Sequence, residues 1–119
     1  LVKIKRLVFA LNPGHVVNPW LVREQIEGSV VMALGAIFNP EITIENGRVK
    51  QTNFDSYPLL RLASIPKVES VLVPTYDFWG GVGEPTICVV GPAVINALSA
   101  ALGRPLRNFP LHKENLTLA

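Results

Sequence analysis

At 119 residues the chain is one domain's worth of polypeptide, long enough to bury a core without metal or disulfide staples. Its composition, 49% hydrophobic and only 17% charged, is poorer in charge than the usual quarter or so of a free-standing soluble domain and points to surface that packs against something else. The net charge of +2 is spread along the chain. The one local cluster, Lys3, Lys5 and Arg6, lacks interleaved aromatics and reads as a solvated strand face, so nucleic acid is not implied.

Cys88 is the sole cysteine, which excludes an intrachain disulfide. No apolar run is long enough to predict a membrane span. The chain opens on Leu1 and goes straight into strand-like sequence, as expected of a fragment or processed chain.

From Val2 to Ala10 an alternating start and an apolar finish predict a strand entering the core, followed by a turn at Asn12-Pro13-Gly14. Asn18-Pro19 is a helix start, with Asn18 as cap and Pro19 at the first helical position. Val22, Ile26, Val30, Val31 and Leu34 continue at helical spacing, and Gly35 offers a stop. Gly28 inside this helix is expected where something packs close to the backbone.

Glu41 to Glu45 alternates, Asn46-Gly47 follows, and Arg48 to Gln51 extends away. This predicts a hairpin, because a two-residue turn of this kind needs positive φ at both positions. Residues 52–66 are broken by Pro58 and Pro66, and Lys67 to Pro74 reads as a further strand. After a turn-rich stretch, Pro92 to Leu102 predicts a second helix, framed by Gly91 and Gly103 and apolar enough all round to be buried. The tail from Arg104 shows no periodicity. The expected fold is therefore α+β, one compact unit over 1–119, with strands, including the Asn-Gly hairpin, packed with two helices.

The concentrated site signal is Gly80-Gly81-Val82-Gly83-Glu84-Pro85. Three glycines in four positions give a backbone that a ligand can approach closely, and the single carboxylate sits near a helix start, where its ionised form is favoured. On composition alone this is a tight turn with a capping glutamate. Gln25, among Arg23, Glu24 and Glu27, reads by itself as exposed helix surface. His15 and His112 lack partners at metal-ligand spacing and read as loop and tail residues. Cys88, among β-branched apolar residues, reads as a small core side chain. Tyr76, Phe78 and Trp79 either line a substrate funnel or pack the strand end.

The block Gly80 to Pro85, with Pro92-Ala93 and Asn96-Ala97, resembles the C-terminal signature of the xanthine oxidase family of molybdenum hydroxylase large subunits. Asn12 to Pro19 with Gln25-Ile26-Glu27-Gly28 resembles the family's strand, turn and cofactor-facing helix, and Glu41 to Arg48 through Asn53-Phe54-Asp55-Ser56-Tyr57 its hairpin and loop. Order and spacing agree across nearly the whole chain, most like the isoquinoline 1-oxidoreductase and aldehyde dehydrogenase large subunits. The sequence departs from the family at Asn12-Pro13, where relatives often carry Asp-Cys, and at Thr86 to Val90, where a small, proline-rich stretch is usual.

The resemblance implies a molybdopterin cofactor whose metal takes no ligand from the protein. It implies Glu84 as catalytic base, Gly81, Val82 and Gly83 as backbone near the molybdenum, and Gln25 as a hydrogen-bond partner of the cofactor. The substrate would be an aldehyde or N-heteroaromatic small molecule oxidised with water, the electrons leaving through iron–sulfur clusters on a partner domain or small subunit. Upstream domains of the same large subunit would complete the site, so the 119 residues alone are expected to be inactive and, through exposed apolar faces, to self-associate. The compartment stays open between bacterial periplasm and cytoplasm. The competing reading is a packing or docking domain that keeps the fold without chemistry. The intact Glu84 and its glycines favour the enzyme.

Overall fold

The computed structural model describes residues 1–39 and 41–119. Strand β1, Arg6–Leu11, pairs in parallel with a strand far along the chain, Lys67–Leu72. Helix α1, Pro19–Phe38, lies between them in sequence. The hairpin strands β2, Ile44–Glu45, and β3, Arg48–Val49, follow α1, so Lys67–Leu72 is β4. Helix α2, Ile87–Leu102, follows β4. Short 3₁₀ turns occupy Leu62–Ser64 and Leu111–Glu114.

The start of α1 forms as its sequence dictates. Asn18 Oδ1 accepts hydrogen bonds from the Trp20 N–H at 3.0 Å and the Leu21 N–H at 3.3 Å, satisfying two of the four orphan donors of the first turn. Its other end departs from expectation, because α1 runs through Gly35 to Phe38. A mid-helix glycine costs about 1 kcal/mol. Ile37 and Phe38 are both buried, and burial of such side chains stabilises by about 1.5–3 kcal/mol each, so the longer helix wins. Asn39 then closes the helix, its N–H donating to Gly35 O at 2.9 Å.

The buried residues of α1, from Val22 and Ile26 through Val30 and Leu34 to Phe38, form one stripe. Phe9 of β1, Val90 and Val94 of α2, and Leu106 and Leu111 of the tail complete the core against it. The aperiodic tail is thus fixed by two buried leucines, and a parallel bridge between Val2 and Leu118 ties the two ends of the chain. The outward side of the parallel pair carries charge. Glu69 bonds Arg6 Nη2 at 2.8 Å and Lys67 Nζ at 2.7 Å, which holds its carboxyl well below the ordinary range, at about 2.

The hairpin has the expected turn, with Asn46 at φ 51 and Gly47 at φ 76, and register Ile44↔Val49 and Glu45↔Arg48. Helix α2 departs twice from the sequence reading. It begins at Ile87, so Pro92 lies inside it rather than at its first position. Low intrinsic propensity in Ile87-Cys88-Val89-Val90 hides this start, and burial of Val90 against α1 overrides it. It is also not buried all round: only Val90 and Val94 are, while Val89 and Leu102 remain about half exposed at 52% and 46%.

Candidate functional site

Because β1 and β4 run parallel, both deliver their following loops to one end of the sheet, where α1 also begins. Crevices at the carboxyl ends of parallel strands are where α/β units bind ligands. Two adjoining clefts open here. The first, about 470 Å³, lies between Val16, Val17 and Leu21 on one side and Trp79 and Gly81 to Gly83 on the other. The second, about 600 Å³, is walled by Gln25, Gly28 and Met32 of α1 and by Gly83, Glu84 and Cys88. Gln25 and Gly83 belong to both, forming the rim between them.

The five residues singled out from the sequence therefore converge. Gln25, Gly81, Val82 and Gly83 line the first cleft, and Glu84 stands in the second. Glu84 lies two residues before the Thr86 cap position, and its carbonyl accepts the Ile87 N–H at 3.1 Å. Its side chain is exposed and, among the described residues, makes no hydrogen bond or ion pair. Gln25 is exposed as well, so its amide can both donate and accept towards a ligand.

The glycines tell what the walls are shaped for. A Cβ built on Gly28, Gly81 or Gly83 would meet nothing within 4 Å, so no neighbouring atom of the chain demands their smallness. Gly81 needs its glycine for φ +73. At Gly28 and Gly83 the space is that of the clefts themselves. The close packing expected at Gly28 is thus absent within this chain, and the bare helix backbone faces the cleft that holds Glu84.

Two further residues line the clefts in a way the sequence did not show, Cys88 and His15. Cys88 is exposed in the cleft wall, not in the core, its Sγ 3.4 Å from Pro85 O. The early start of α2 is the reason: it places Cys88 on the helix face opposite to core residues Val90 and Val94. His15 stacks on Trp79 with ring centroids 4.8 Å apart, and meets Tyr76 edge-on at 5.9 Å. Trp79 is therefore both a packed strand-end residue and a cleft wall, while Phe78 stands 87% exposed. Thr86 is buried with its hydroxyl unpartnered among the described residues.

Fold and clefts together give an α+β unit, as expected, with a glycine-edged cleft wall, one carboxylate and one amide. Among the described residues no three His, Cys, Asp or Glu side chains gather to hold a metal, so a metal working here would have to arrive with ligands of its own. A pterin-dithiolene cofactor is a group of that kind, and bare glycine backbone beside an amide donor–acceptor fits its polar edge.

Comparison with known proteins agrees. Residues 1–66 match the molybdopterin cofactor-binding domain family, and the chain belongs to that family. It is 31% identical over 108 residues to isoquinoline 1-oxidoreductase subunit beta of Brevundimonas diminuta, covering 91% of this chain and 14% of that protein. It is 32% identical over 116 residues to the membrane-bound aldehyde dehydrogenase [pyrroloquinoline-quinone] of Gluconacetobacter polyoxogenes, covering 98% and 15%. Quinoline 2-oxidoreductase from Pseudomonas putida 86 shares the fold at TM-score 0.78 and 21% identity, over 92% of this chain and 15% of that one. The chain thus spans about a seventh of the length of the relatives it matches. Among the described residues no helix is long and apolar enough to cross a membrane.

Proposed function

We propose that this chain is one wall of the active site of a molybdenum hydroxylase that oxidises an aldehyde or an N-heteroaromatic compound with water. The observation carrying this reading is the convergence of Gln25, Gly28, Gly83 and Glu84 on one cleft whose walls are bare where a ligand would lie. The likeness to isoquinoline 1-oxidoreductase and aldehyde dehydrogenase chains supports the two substrate classes.

When bound, the cofactor supplies a two-electron acceptor and activates water at its metal. Gln25 would hold the cofactor through its amide, with the backbone of Gly81, Val82 and Gly83 offering the glycine-edged wall beside it. Glu84 would serve as the general base, a carboxylate oxygen taking up a proton from the water whose oxygen enters the product. The substrate C–H hydrogen and its two electrons would go to the cofactor as acceptor. Iron–sulfur clusters on a partner subunit would take the electrons onward, and other segments of the large subunit would close the site. The 119 residues alone neither retain the cofactor nor turn over substrate.

The test is turnover per bound molybdenum in the native assembly, comparing Glu84 with Glu84→Gln. Removal of a positioned base lowers turnover by about 10²–10⁴-fold or more while metal content stays. An unchanged rate per metal reduces Glu84 to a turn residue and favours the docking-domain reading.

A further inference from the structure

The two loops that leave the parallel strands are joined by one side-chain oxygen. Asn12, just beyond β1, accepts on Oδ1 the Gly14 N–H at 3.0 Å and the Thr75 hydroxyl, from the loop after β4, at 3.2 Å. Backbone pairing continues from this joint. Gly14 O accepts the Tyr76 N–H at 3.2 Å, and Pro13 O accepts the Gly80 N–H at 3.0 Å. Gly14 sits at φ +76, and a Cβ there would lie 1.9 Å from Phe78 O, so the loops run in direct backbone contact. The chain from Gly80 leads without a break into Gly81 to Glu84.

Tyr76 is held at φ 63, a conformation that a bulky residue rarely adopts. The loop is therefore kept in place against its own preference, and the bonds to 12–14 are what hold it. Among the described residues no other hydrogen bond ties residues 80–84 to the β1 end of the sheet.

We infer that Asn12 is a positioning residue: its side-chain oxygen fixes the loop that carries Gly81 to Glu84 against the strand ends. The inference rests on the reading of Glu84 given above for its effect on turnover, but the loop contact stands independently of it. An acceptor oxygen is what the site uses, so aspartate replaces Asn12 in this role and alanine does not.

The test compares Asn12→Ala, Asn12→Asp and Thr75→Val in the native assembly. One readout is hydrogen–deuterium exchange of the peptide spanning 75–84. The other is turnover per bound molybdenum of whichever of benzaldehyde or isoquinoline the native enzyme oxidises. Asn12→Ala is expected to speed exchange at the Gly80 amide and to lower kcat by roughly 10- to 100-fold, as a small misplacement of a catalytic group does, with KM little changed. Asn12→Asp restores both readouts. Thr75→Val, which removes one hydroxyl and carries the test should Asn12→Ala not fold, moves both in the same direction by less.

Native exchange and kcat in Asn12→Ala, or an Asn12→Asp variant as poor as Asn12→Ala, overturns the assignment. Glu84→Gln is measured alongside. If it turns over at the native rate, the Glu84 reading fails, while the exchange data still decide whether Asn12 holds the loop.

Discussion

Helix α1 and helix α2 are both apolar, yet they use that character differently. Of the 20 residues of α1, eight are buried, whereas α2 buries only Val90 and Val94 of its 16. Val89, Ala93, Ala97, Ala101 and Leu102 of α2 face outward instead. The exposed area of the chain, 8138 Å², exceeds the roughly 6,300 Å² expected for a self-contained protein of this mass. Apolar surface left open in this way is of the kind that takes a covering partner, and on this chain it includes the outer face of α2.

The comparison is sharpest in a pair of truncations. Leu34→Ala removes a side chain with no exposure at the centre of the α1 stripe and is expected to destabilise the chain by about 2–5 kcal/mol, read by urea unfolding. Val89→Ala, at 52% exposure on α2, is expected to cost less than about 0.5 kcal/mol in the same assay. Equal losses would show that α2 is as deeply packed as α1 and break the contrast.

These two helices also show how far the sequence could be read. The stripe of α1 and its Asn18 cap are local patterns, and both appear as expected, as does the Asn46-Gly47 hairpin. The parallel pairing of β1 with β4 is set by contacts distant along the chain, and no local pattern encodes it. At α2 the β-branched run and Pro92 argue against a helix start that tertiary burial of Val90 nevertheless imposes. The same holds in the site. Glycine spacing made the Gly80–Glu84 turn visible, while the exposure of Cys88 depended on where α2 begins and could not be read from an apolar neighbourhood.

The open apolar surface predicts a second, smaller effect. In isolation the chain is expected to self-associate as its concentration rises, seen as an increasing mass by light scattering. A monomer over a hundredfold range, roughly from micromolar upward, would mean that these faces are tolerated by water and need no cover.

The smallest effect concerns the charged side of the β1–β4 pair. Glu69, at about 2 rather than the ordinary 4.5 because Arg6 and Lys67 bond it, contributes stability that is present above about 4.5 and is lost as pH falls towards about 2. Glu69→Gln should therefore flatten the acid limb of the stability profile in that window and change little at neutral pH, since the group is only half-buried and its ion pairs are screened by solvent. An unchanged acid limb would remove the ion pairs from the account of how the two strands are held.

The most direct test of the central claim, that the open clefts form one wall of a closed site, is the reactivity of the Cys88 thiol. It stands exposed beside Glu84. Alkylation by an uncharged maleimide, followed by mass spectrometry of the peptide containing Cys88, is compared between the isolated chain and the cofactor-loaded native assembly. The account predicts rapid labelling of the isolated chain and slowing by about tenfold or more in the assembly, as exposure is lost. Equal rates in both would place this face on the outside of the enzyme and contradict the claim.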